Sequence, residues 1–427
     1  MNKIIAPAIG ITFLVQLAVF LIGLGNNVII SRLLGPETLG IFAIIIVIVE
    51  IVFRIVNPGL DTSAIYFISS KRFEFKEFIN TYLINSIVII VLGIFIIFIL
   101  NQVGSVTLFS EVIIFNFISD FFTVIIFYFA AFLIYEFGVK IPLGLEKYNE
   151  YNKIQLLKPI VLFILLIISA LMFTVQLDSV IVLVGISFLV PALMYWRLAF
   201  PIKLVWHKEP AEKSFRFGIK IMLSNLLQYL KYRTDILLIV FFLSGTEVGW
   251  YYVSVLIAER LLFLTQATST ILFPSASSSE AQREKTPILS RLNFSVVFAG
   301  SLVIGATAYW LVPLLLSAGY GNSVLPLVVI LPGIISLSVS KILSADFISR
   351  GLPQYSFYVS LLNFSLNITF NIILIPRMGI AGAALSSTMS YTAALILQIY
   401  FYYKLTNTKL TEIIFMRSGD LEKLKSI

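Results

Sequence analysis

The residues of this sequence that could do chemistry are ionisable side chains set inside long apolar stretches. Glu50, Arg54 and Asp61 fall at i, i+4 and i+11, one face of a regular helix, although Pro58-Gly59 interrupts that helix and lets Asp61 rotate off the stripe. Ser224, Gln228, Lys231 and Asp235 follow at i, i+4, i+7 and i+11, with Arg233 on a different face. Tyr252, Glu259, Gln266 and Thr270 make a third stripe, with Arg260 beside it. A charge at the centre of a bilayer costs ~2.5–3.5 kcal/mol even on the most forgiving scales, so each group needs a partner or a water-filled cavity.

Two chemistries fit these stripes. Ion pairs such as Glu50 with Arg54, or Lys231 with Asp235, would hold helices in register. Alternatively the stripes line a central cavity with a basic excess, Arg54, Lys231, Arg233 and Arg260 against Glu50, Asp235 and Glu259. Such a cavity would bind an anion, and the guanidinium fork suits a phosphate. Asn26 and Gln228 join those four as substrate-binding candidates, and Glu50, Asp235, Glu259 and Asp61 are candidates for coupling a proton or a sodium ion. Arg32, Arg377, Lys341 and Arg350 lie toward span ends and read as interfacial anchors.

What surrounds these residues is lipid-compatible. The chain is 59% hydrophobic and 12% charged, with a mean hydropathy of +1.00, more apolar surface than a soluble core can hide. Apolar stretches near 9–31, 39–69, 79–101, 111–136, 154–175, 179–200, 217–243, 248–275, 291–317, 323–344, 353–375 and 379–403 each approach the ~20 residues that cross ~30 Å of hydrocarbon. They predict an all-α integral membrane protein of about twelve transmembrane helices. The first stretch is too long and too polar (Gln16, Asn26, Asn27) for a cleaved signal peptide.

With the N-terminus placed in the cytoplasm, the inside loops collect Lys71, Arg72 and Lys76, then Lys140, Lys147 and Lys153. Lys203, Lys208, Lys213 and Arg216 follow, then Arg283, Lys285 and Arg291, and the tail from Lys404 to Lys425. The outside loops hold little beyond Arg32 and Arg377. That asymmetry places both termini in the cytoplasm and the spans in the cytoplasmic (inner) membrane, and it accounts for the net charge of +8, leaving no basic face for a nucleic acid.

The absences narrow the class further. There is no cysteine, one histidine (His207, in a basic loop), no G-x-x-x-x-G-K-[ST] loop, no metal-ligand cluster and no nucleophile motif. No cofactor or covalent chemistry is expected. Transport is.

An internal repeat appears at a shift of 209, which superposes Leu34 on Leu243, Gly40 on Gly249 and Glu50 on Glu259, and also Gln16 on Asn225 and Asn26 on Asp235. Six spans per half give two bundles of the same orientation, 1–204 and 205–427, the parallel-repeat plan of secondary transporters.

The loop Ser31-Arg32-Leu33-Leu34-Gly35-Pro36-Glu37, with Gly40 and Phe42 after it, resembles the first loop of Wzx-type polysaccharide flippases of the multidrug/oligosaccharidyl-lipid/polysaccharide exporter superfamily. Gly59-Leu60-Asp61-Thr62 fits the same pattern. So do the stretch from Arg233-Thr234-Asp235 through Gly249-Trp250-Tyr251 to Phe273-Pro274, and Asn371 to Arg377 with Gly379 and Gly382-Ala383-Ala384. The resemblance implies two six-helix bundles arranged as a V around a central cavity. It also implies an undecaprenyl-diphosphate-linked oligosaccharide as substrate, flipped for surface polysaccharide, O-antigen or lipopolysaccharide biosynthesis alongside other polysaccharide-assembly membrane proteins. Lipid II flippases of the superfamily usually carry extra helices and a basic first span, and drug exporters carry first-span carboxylates; this chain shows neither pattern. A cation-coupled multidrug antiporter remains the alternative, and a glycan polymerase is disfavoured by outside loops of only about ten residues.

Overall fold

The computed structural model describes residues 2–104, 113–172, 175–201, 203–263, 265, 286–417 and 420. Gln266, Thr270, Phe273, Pro274, Arg283 and Lys285 lie outside them. The helices are α1 (Asn2–Val56), α2 (Leu60–Ser69), α3 (Phe75–Gly104), α4 (Ile113–Asp120), α5 (Phe122–Gly138), α6 (Lys140–Gly144), α7 (Tyr148–Gln155), α8 (Leu157–Met172), α9 (Leu177–Arg197), α10 (Lys208–Phe242), α11 (Gly245–Glu259), α12 (Thr286–Leu315), α13 (Val324–Ser349), α14 (Pro353–Thr406) and α15 (Leu410–Ile414). No strand occurs among the described residues, so the expected all-α fold is borne out.

Eight helical stretches of the described chain are long and apolar enough to cross a membrane. Two of them each carry two of the expected spans, because α1 breaks at Gly35 (φ 71°, ψ 172°) and α14 at Gly379 (φ 59°, ψ −142°). Only glycine reaches the Gly35 conformation without strain, and Pro36 behind it is preorganised for a first helical turn. Of the other two expected spans, α10 covers 217–243 to Phe242, and α11 covers the first part of 248–275, whose residues 264 and 266–275 lie outside the described ones. At the repeat-related position of the second half, α10 ends and α11 begins with Glu247 accepting a hydrogen bond from the Ser244 N–H at 2.9 Å.

The chain forms two compact units, Met1–Leu230 and Lys231–Ile427, and the division falls inside α10 whereas the expected one falls at 204/205. A close approach in the first unit accounts for the difference. Pro58-Gly59 breaks the helix between α1 and α2, Gly59 takes φ 71°, and Gly218 of α10 packs directly on that break. A Cβ on Gly218 would stand 2.1 Å from the Pro58 carbonyl oxygen, so α10 can reach the break only without a side chain there. Elsewhere in the unit an aromatic core joins α1, α5 and α9, with Phe53 edge-on to Phe132 at 5.4 Å and Phe132 edge-on to Phe188 at 5.5 Å.

In the second unit α13 and α14 pack through polar contacts as well as apolar ones. Asn363, Asn367 and Asn371 repeat every four residues on one buried face of α14. Asn371 Nδ2 donates to Asn367 Oδ1 at 2.9 Å, and Asn367 Nδ2 donates to Ser387 Oγ at 3.3 Å, tying the two halves of the broken helix together. The polar tail folds back onto this unit. Ile413 of α15 is buried against Val339, Leu343, Phe347 and Tyr402, and Arg291 of α12 donates to both carboxylate oxygens of Asp420, at 2.8 and 2.6 Å. Glu412, outside the spans, accepts from the Lys409 N–H and from Arg417, which holds its carboxyl below the ordinary value; that contribution is present above the unfolded pKa and fades as pH falls.

Candidate anion-binding site

In the second unit, α10 places Lys231, Tyr232 and Arg233 in succession, α11 ends on Glu259 with Arg260 following, and α13 supplies Lys341. Arg233 meets Glu259 as two parallel contacts, Nη1 to Oε1 at 3.3 Å and Nη2 to Oε2 at 3.2 Å, the fork geometry of a charge-assisted pair. The Lys231 ammonium lies 5.0 Å from the centre of the Tyr232 ring, and the Lys341 ammonium lies 5.5 Å from the same centre. Both lysines are half-buried, and neither pairs with a carboxylate among the described residues. A ring quadrupole offsets part of a cation's desolvation. Two ammonium ions sharing one ring still leave a net positive site. Arg260 is half-buried one residue beyond Glu259.

Asp235 faces elsewhere. It is buried, accepts from the Tyr251 hydroxyl and from the Ile236 N–H at 2.9 Å, and makes no pair with Lys231. The expected stripe Ser224–Gln228–Lys231–Asp235 therefore divides: Gln228 is exposed, Lys231 stands at the tyrosine and Asp235 enters the core of the second unit.

Within the first unit the Glu50–Arg54 pair does form, at 3.3 Å. The Arg54 guanidinium lies 4.4 Å over the Tyr229 ring, and its Nε is buried without a hydrogen-bond partner. Asp61 has rotated off that stripe, as the Pro58-Gly59 break allows. It accepts from Asn57 Nδ2 at 2.8 Å and lies 3.9 Å from Lys140, which also pairs with Glu136 at 3.5 Å. Asn26, expected to bind substrate, instead donates to the Pro159 carbonyl at 2.9 Å. That contact fixes the buried Asn26 amide of α1 to the backbone of α8, and its Oδ1 is buried without a hydrogen-bond partner.

Three residues escaped the sequence reading. Lys341 read as an interfacial anchor, yet it flanks Tyr232; the serines around it (Ser336, Ser338, Ser340, Ser344) mark α13 as a helix of the protein interior, the signal that could have found it. Lys140, a loop charge by sequence, is held between two carboxylates. Lys158 stands 3.9 Å over the Phe188 ring, and its place within an otherwise apolar span was the available clue.

Helix content and apolar spans define a multi-pass membrane protein. Its fold is shared with an inward-facing multidrug resistance MATE family transporter of the MOP superfamily, at a TM-score of 0.74 and 15% identity over 91% of this chain and 96% of that one. The lipid II flippase MurJ in an inward closed conformation gives a TM-score of 0.71 at 12% identity, over 97% of this chain and 95% of that one. The chain belongs to the polysaccharide biosynthesis protein family, which it matches over residues 29–325. The probable flippase AglR of Haloferax volcanii is 30% identical over 173 residues, 39% of this chain and 36% of that protein, so the match spans about a third of the relative's length. The resemblance to polysaccharide-pathway proteins is borne out by the family match, and the expected transporter fold by the two solved structures.

Proposed function

We propose that this protein flips a polyprenyl-diphosphate-linked oligosaccharide across the cytoplasmic membrane by alternating access, without covalent chemistry, for surface polysaccharide biosynthesis. Undecaprenyl diphosphate is the expected carrier, and both termini face the cytoplasm. One observation carries this reading: Lys231 and Lys341 flank Tyr232 with no carboxylate partner among the described residues. Charge in a span without a carboxylate in contact is costly, and a diphosphate head group offsets it while the prenyl tail stays in lipid. Arg233 and Arg260 beside the lysines add bidentate donors once Glu259 yields its partner. Family membership and the name of the matched relative point the same way.

Cation-coupled drug antiport has one observation in its favour, the buried carboxylate of Asp235 under the Tyr251 hydroxyl. Depleting the protein from its own cells separates the two readings. Flipping predicts that lipid-linked oligosaccharide accumulates in the cytoplasmic leaflet and surface glycan falls, with drug retention unchanged. Increased drug retention with normal surface glycan would replace flipping by antiport.

A further inference from the structure

We propose that a lateral groove in the first unit is a binding site for an anionic phospholipid of the surrounding membrane, a resident lipid distinct from the cargo. The groove has a volume of ≈ 670 Å³ and runs between the end of α1, the face of α3 and the start of α10, within the about 300–1,000 Å³ of small-molecule sites. Its walls are apolar and open, with Ile55, Val88, Leu92, Phe215 and Ile219 all exposed. Side chains of this kind, walling an open groove in a membrane protein, fit a hydrocarbon chain.

The mouth of the groove supplies the head-group chemistry. Leu204-Val205-Trp206 is an exposed apolar triplet enclosed by Lys203 and Lys208, the composition of a segment lying at the head-group level. It is pinned in place: the Lys203 N–H donates to Asn80 Oδ1 at 2.8 Å, Trp206 Nε1 to Asn85 Oδ1 at 3.2 Å, and the His207 N–H to Thr81 Oγ1 at 3.1 Å. Lys213 is neutralised by Glu209 and Arg216 by Glu212. Lys203 and Lys208 pair with no carboxylate among the described residues, and Lys208 lines the groove itself. Glu77 also stands there, 3.4 Å from His207 Nδ1; two lysines against that one carboxylate leave the mouth positive, and a chain whose head group is negative completes it.

Trp206 reports on the groove directly. The full-length protein is reconstituted in phosphatidylcholine vesicles containing increasing fractions of brominated-chain phosphatidylglycerol or brominated-chain phosphatidylcholine. Trp206 quenching is the difference between the unchanged protein and Trp206→Phe. The anionic lipid should reach half-quenching at about a fivefold lower mole fraction, the effect of one lysine at an anionic surface. Lys208→Gln should bring the two curves together, and Val88→Phe with Ile219→Phe should weaken quenching by both. Coincident curves for the unchanged protein mean ordinary boundary lipid and overturn the proposal. Recovery of fluorescence on adding geranylgeranyl diphosphate at a mole fraction equal to the brominated lipid's assigns the groove to the prenyl carrier and overturns it equally.

Discussion

Replacing Lys231 and Lys341 together by alanine should abolish flipping while leaving the protein as stable as before or more so. Both ammonium ions lie within 5.5 Å of the Tyr232 ring centre, with no carboxylate partner among the described residues. In the substrate-free protein their mutual repulsion and desolvation oppose folding, so their removal relieves a cost. In the complex each supplies a charge-assisted contact to the diphosphate of ~1.5–3 kcal/mol. The double variant should bind a polyprenyl-diphosphate head group about a hundredfold more weakly, or worse, and its melting temperature should not fall. Lys231→Arg should retain most of the affinity, because charge and reach survive. Binding of the double variant within a few-fold of the unchanged protein would show that the lysines are ordinary stem-buried side chains.

The opposite pattern is expected at the tail. Arg291 and Asp420 are 5% and 4% exposed and joined by two contacts, so Arg291→Ala strands a buried carboxylate and should cost about 3–5 kcal/mol. Expression and thermal stability should drop sharply. Arg291→Met with Asp420→Leu should recover much of the loss, because replacing both ends of a buried pair is far cheaper than removing one. An Arg291→Ala variant as stable as the unchanged protein would mean that the docked tail contributes nothing to the second unit.

These two sites show what the sequence could and could not carry. Spans and two breaks are legible because they depend on local chemistry: Gly35-Pro36 and Pro58-Gly59 interrupt helices by their own backbone preferences, whereas the helix runs through Pro376, the residue that reads as its stop, and breaks three residues later at Gly379. The fork between Arg233 and Glu259 was half legible, since both residues stood out as charges in spans while their pairing depends on how α10 and α11 are rotated. Lys341 and Tyr232 meet across two helices far apart in sequence, and no periodicity within either one encodes that meeting. Asp235 was read as a cavity residue from its spacing, but Tyr251, sixteen residues on, draws it into the core. The tail is polar, so hydropathy places it in water, and only the tertiary contact with Arg291 reveals that it docks.

Transport is expected to run through the basic site of the second unit, which would carry a diphosphate-linked glycan across the bilayer. The direct measurement uses purified protein in liposomes loaded on the inner leaflet with a polyprenyl-diphosphate-linked oligosaccharide, with a membrane-impermeant lectin or glycosidase outside. Inner-leaflet glycan should become accessible at a rate set by the protein, and that rate should collapse with Lys231→Ala and Lys341→Ala together. Accessibility no faster than in protein-free liposomes, from a preparation that binds the head group, would contradict the account.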